Sequence, residues 1–167
     1  MNSMTGLWLR VTDLLDRVGD WLPALAIRVL LGWEYFESGL MKYRGENWFA
    51  QIQEQFPFPF DVIPVNLSWF LATWSELIGA VMIFFGLFTR FWAFSLIILT
   101  IVATAAVHWP ESYSSFSELL KGYAITNKGF GNYKLPAMYL VMFLPLLFSG
   151  PGKASLDYYL RRRIVGA

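Results

Sequence analysis

The 167-residue chain has no cysteine and a single histidine, His108. Without cysteine there is no disulfide, no thiolate nucleophile, no cysteine-ligated metal and no iron-sulfur cluster, so any redox role must use a bound cofactor or a partner. One histidine is one ligand, and one ligand makes no metal site, so none is assigned. His108 stands beside Trp109 at the end of an apolar run. It reads as an interfacial residue, as a proton relay, or as one nitrogen offered to copper with Met41, Met82, Met138 or Met142 as soft co-ligands. Charge is equally scarce, at 15% of residues and a net +1. That leaves no basic surface for nucleic acid, which is excluded as a partner. There is no phosphate-binding glycine loop, no Ser-His-Asp set and no haem-attachment motif. The first 20 residues carry Asp13, Asp16 and Asp20 and lack a small-residue cleavage site, so they are expected to be retained rather than removed as a signal peptide.

What is plentiful is apolar surface, with 56% of residues hydrophobic and 19% aromatic. This composition predicts an all-α integral membrane protein whose direct partner is the lipid bilayer. From Leu7 to Val18 apolar residues recur at helical spacing opposite Arg10, Asp13, Asp16, Arg17 and Asp20, which predicts an amphipathic helix lying on the membrane. Four spans follow, at about 21–41, 67–88, 91–109 and 130–148, forming a four-helix bundle in a single domain. The last apolar run, 135–148, is short and holds Pro136 and Pro145. It therefore either begins in the preceding loop or is re-entrant, and the span is favoured because the basic tail then falls on the expected side. The connection between the first two spans carries Phe-Pro-Phe-Pro-Phe at 56–60 and reads as ordered, because proline restricts the chain and aromatics suit the interfacial belt.

With four spans, one side of the membrane holds Arg10, Arg17, Arg90, Lys153 and Arg161 to Arg163, and the other holds Lys42, Arg44, Lys121, Lys128 and Lys134 in much longer loops. The positive-inside tendency places both termini in the cytoplasm, across a bacterial inner membrane.

The stretch 32–49, GWEYFESGLMKYRGENWF, holds the chemistry that needs explaining. A carboxylate at a helix centre costs roughly 2.5 to 3.5 kcal/mol on insertion scales, so Glu34 and Glu37 require shelter or a role. At 100° per residue, Arg28, Gly32, Phe36, Gly39 and Lys42 share one stripe. It is either a close-packing face with a buried Arg28 or a site in which Arg28 and Lys42 hold an anionic or quinone-like ligand. Glu34 and Glu37 point elsewhere, which makes the first span central or shared between copies in a homo-oligomer. Glu34 lies eight residues from Lys42 and Glu76 nine from Leu67, so the two acids are expected at one depth. Two readings follow: Arg28 and Glu76 form a buried register-fixing pair, or Glu34 and Glu76 handle protons beside a redox or transport site. The catalytic candidates are thus Glu34, Glu37 and Glu76, and the cofactor-binding candidates Arg28, Lys42 and His108.

Arg28, Leu31-Gly32, Phe36, Gly39 and Lys42, then Glu76-Leu-Ile-Gly79, Gly86 and Thr89-Arg90, resemble the DoxX family of small four-helix bacterial membrane proteins. The longer strings WEYFESGLMKYRGENWF (33–49), ATWSELIGA (72–80) and YKLPAMYLVMFLPLLFSGPGKASLD (133–157) resemble its HvfX-type branch. That resemblance implies an accessory role in maturing, exporting or redox-servicing a copper-binding ribosomally made peptide, with quinone as cofactor and the peptide or its modifying enzymes as partners. A non-catalytic scaffold for such enzymes and a small transporter are the alternatives. With no cysteine and one histidine, tight copper binding by this chain alone is not expected.

Overall fold

The computed structural model describes residues 3–166. Among them there is no strand, and the helices are α1 (Ser3–Gly19), α2 (Leu22–Arg44), α3 (Val65–Phe85), α4 (Thr89–Ala103), α5 (Phe116–Lys121), α6 (Lys134–Phe148) and α7 (Leu156–Val165). α2 packs along α3, α3 on α4, α4 on α6, and α6 back on α2, closing a ring of four helices. Leu31, Tyr35, Ala80, Ile83, Leu96 and Phe143 form its core.

α3 and the 89–108 segment are long and apolar enough to cross a membrane. α2 is longer, at 23 residues, but carries the charges discussed above. α6 is helical only from Lys134, so residues 130–133 belong to the preceding loop and the run is 15 residues long. Phe70, Phe84, Phe91, Phe94, Ile101 and Val141 all face outward. An apolar belt of this extent is far more than a water-soluble monomer leaves uncovered, and it suits a lipid environment.

The stripe on α2 is a packing face at its glycines. A Cβ on Gly39 would sit 2.9 Å from Leu77 Cγ and 3.0 Å from Glu76 Cβ, and one on Gly32 3.1 Å from Phe84 Cβ. Glycine is what lets α2 and α3 approach this closely. Phe36 does not join them; it is exposed.

The two ends of the bundle are organised differently. At one end the turn 86–88 meets the segment 149–157. Gly86 takes a left-handed φ of 67° to end α3, and a Cβ there would collide with Ser155 and the Arg28 guanidinium. Asp157 caps α4, its carboxylate accepting from Phe88 N at 2.8 Å and Thr89 N at 2.9 Å. Lys153 pairs with Asp20, whose carboxylate holds the exposed Lys153 ammonium above the usual lysine range. α1, α7 and this turn therefore share one end.

At the other end the two long loops cover the ring. The first is ordered by Gln53, which donates to Asp61 O at 3.0 Å and Ile63 O at 3.1 Å, and by edge-on stacking of Phe49 against Trp69 and Phe56. The second is tied down by Asn132 N to His108 O and Tyr133 N to Gly122 O. Its short helix α5 is capped by Ser115, and hydrogen bonds from Ser114 hold the Glu118 carboxyl below the usual carboxylate range.

Candidate functional site

Glu76 is buried on α3, where it faces α2. Its partner is Lys42, from the last turn of α2, with Nζ 2.9 Å from Oε1 and 2.8 Å from Oε2. Lys42 also donates to Ser38 Oγ at 3.0 Å, and Ser38 donates to Glu76 Oε1 at 3.2 Å. All three ammonium protons are therefore committed, and the pair is a closed network with one lone-pair direction left on Oε2. The expected Arg28–Glu76 pair does not form. Arg28 lies eleven residues from Gly39, about 16 Å along the helix, and is out of reach of Glu76.

Arg28 is buried at the opposite end of the bundle. Its guanidinium donates to Phe84 O at 2.9 Å and to Ala154 O, stapling the end of α3 to the segment before α7. It lines neither the space beside the Lys42–Glu76 pair nor the one behind it, and so stands apart from Lys42 and His108. Packed against Gly86 and bonded to both segments, it is a structural clamp.

Beside the Lys42–Glu76 pair lies a cavity of about 780 Å³ between α2, α3, α4 and the first long loop. Its walls are mainly apolar, from Phe49, Phe56, Trp69, Ala72, Ile98 and Val102. It reaches along α4 from Ser95 to His108, thirteen residues and about 20 Å. Size and lining are those of a small-molecule site, with few polar groups set in an apolar wall. One wall residue stands out: Ser68 is only 7% exposed, and among the described residues its Oγ has no hydrogen-bond partner. A buried hydroxyl left unpaired costs about 1 to 3 kcal/mol.

His108 reaches the cavity because the helix changes pitch. Residues 104–108 form a π turn closed by Trp109 N to Thr104 O at 2.7 Å, and Pro110 holds Trp109 extended. His108 Nδ1 lies 2.8 Å from Asn132 Oδ1, while Asn132 Nδ2 donates to Ile125 O at 3.4 Å. That amide orientation calls for a proton on Nδ1 and leaves Nε2 as an acceptor.

Behind the ion pair a second space of about 120 Å³ is lined by Glu34, Tyr35, Thr100, Pro136 and Tyr139, and shares Ser38, Glu76 and His108 with the first. Tyr139 donates to Glu34 Oε2 at 2.7 Å, and Tyr35 shares a hydrogen bond with Thr100. The structure thus brings Glu34, Glu76, Lys42 and His108 together. Glu37 stays apart, exposed on the outer face of α2 and lining neither space. Ser68, Tyr139 and Asn132 escaped the sequence reading because each is an ordinary residue type whose role depends on a neighbour from another element.

Among the described residues no cluster of three or more histidine or acidic groups is placed to hold a metal ion. Residues 24–109 match the family model described as DoxX. A protein of Haemophilus influenzae described as uncharacterized is 43% identical over 145 residues, spanning 87% of this chain and 87% of its own length. No solved structure matches.

Proposed function

The chain belongs to the DoxX family of membrane proteins, and from that premise we propose that it binds an amphipathic quinone in the larger cavity. The observation that carries this reading is the cavity itself: about 780 Å³ of mainly apolar space bordered by the Lys42–Glu76 pair, Ser68 and His108. A quinone ring needs apolar walls, donors for its oxygens and acceptors for the hydroxyls of its reduced form. Bound, it would supply two-electron, two-proton redox chemistry. His108 Nε2 and the remaining lone pair of Glu76 Oε2 are the acceptors, Ser68 is an unsatisfied hydroxyl in the wall, and Lys42 holds the Glu76 carboxylate in place. The opening of α3 against α4 through Leu71, Ser75, Ser95 and Ile98 faces the apolar belt, a route by which a membrane-dissolved molecule enters sideways.

The test is fluorescence. Trp48 and Trp69 line the cavity, and a decyl-substituted benzoquinone is expected to quench the purified protein saturably. Ala72→Trp, which fills the cavity, should remove the saturable component, whereas Glu37→Gln should leave it intact. Quenching that stays linear in quinone concentration for the unaltered protein would sink the proposal.

The setting we infer, from the strings at 33–49 and 133–157, is an inner-membrane accessory step for a copper-binding ribosomally made peptide, with both termini cytoplasmic. Deleting the gene should leave that peptide incompletely modified or retained in the cell, as read by mass spectrometry of cell and medium fractions. An unchanged peptide profile would dissociate the protein from that pathway.

A further inference from the structure

The smaller space behind the Lys42–Glu76 pair differs in character from the larger one. Glu34, Tyr35, Thr100 and Tyr139 present polar atoms to it, and Ser38, Glu76 and His108 border both spaces. Glu34 is an acid in the middle of a 23-residue helix, and among the described residues its hydrogen-bond donor is Tyr139, with no cation in salt-bridge range. A dry void lined by a carboxylate of this kind would be costly, whereas 120 Å³ accommodates about four waters at their liquid volume and offers each of them polar partners.

We infer that this space is a water-filled proton antechamber, in which Glu34, held by Tyr139, exchanges protons through water with Glu76 and His108 at the edge of the larger cavity. The polar residues that border this open-sided space with Glu34 are Tyr35 and Ser38 on α2, Glu76 on α3 with its counter-charge Lys42 on α2, Thr100 on α4, His108 in the π turn and Tyr139 on α6. The Tyr35–Thr100 hydrogen bond, continued by Thr100 Oγ1 to Leu96 O at 2.6 Å, closes the deep wall. Exchange is therefore directed toward Glu76 and His108. What the protons serve rests on the quinone reading; the existence of the chamber does not.

The absence of cysteine makes an introduced thiol a unique probe. Thr100→Cys places one in the small space alone, nearly isosterically, and Leu96→Cys places one in the dry core. The infrared S–H band followed on transfer to D2O reads access to water. The Thr100→Cys thiol is expected to exchange at least about tenfold faster than the Leu96→Cys thiol, as a hydrated polar cavity should against a close-packed core. Adding Glu34→Gln to Thr100→Cys removes a neighbouring negative charge, and the thiolate fraction at alkaline pH should rise about tenfold, while Glu37→Gln should not change it. If Thr100→Cys does not fold, Pro136→Cys, which borders the small space and not the larger one, carries the same two measurements. Exchange as slow as in the core would show a dry void, and a thiolate fraction indifferent to Glu34→Gln would show that Glu34 does not ionise into the chamber; either result overturns the inference. Neither readout uses a quinone, so a failed chamber and a failed ligand site are told apart.

Discussion

At the scale of single residues, the Lys42–Glu76 pair decides what the larger cavity can hold. Both side chains are largely withdrawn from solvent, at 15% and 4% exposure. A buried ion pair is weak as a net stabiliser, but removing one member strands the other, at about 3 to 5 kcal/mol. Glu76→Gln and Lys42→Met should each lower resistance to denaturant in mild detergent by an amount of that order, and the double substitution should lose less than the sum of the two. Additive losses would mean that the two groups do not interact in solution. Glu37, three residues after Glu34, is outside this network: its side chain is exposed and borders neither space.

At the scale of elements, the Arg28 clamp is the main structural device. The guanidinium holds backbone carbonyls from two segments more than fifty residues apart in the chain, Phe84 and Ala154, and Gly86 exists in its left-handed conformation directly against it. Arg28→Ala leaves both carbonyls without this donor, each at about 1 to 3 kcal/mol, and opens the seat of the 149–157 segment. Limited proteolysis should then cut near Lys153 and Arg161 at a dose that leaves the unaltered protein whole, while quinone quenching is retained because Arg28 does not line the cavity. Loss of quenching with an uncut tail would place Arg28 in the ligand site after all. The π turn is the second device. A regular α-helix through 104–108 would turn His108 to another heading, and its contact with Asn132 would break.

At the scale of the whole molecule, the two ends divide the labour. One end is a mechanical assembly of the 86–88 turn, the 149–157 segment, α1 and α7; the other carries the loops that close over the cavity. If both termini are cytoplasmic, as the charge distribution indicates, a phosphatase reporter fused after residue 166 should be inactive and one inserted near residue 127 active. The reverse pattern would invert the orientation and put the loop-covered end of the cavity on the cytoplasmic side.

Composition alone determined that the protein is helical and membrane-suited, because 56% hydrophobic residues in long runs leave few other ways to satisfy the backbone. Spacing alone placed Gly32 and Gly39 on one packing face, since that follows from a helix of fixed pitch; the equal depth expected of Glu34 and Glu76 does not hold, because Glu76 packs level with Gly39, five residues further along α2. Pairing was beyond it. Depth and angle pointed to Arg28 as the partner of Glu76, and only the axial offset between α2 and α3 set Lys42 there instead. The same holds for Tyr139 on Glu34 and Asn132 on His108, each contributed across more than twenty residues of chain. A helix in isolation states which way a side chain points; what it points at is settled by how the helices pack, which is why the acids were legible early and the two spaces between them were not.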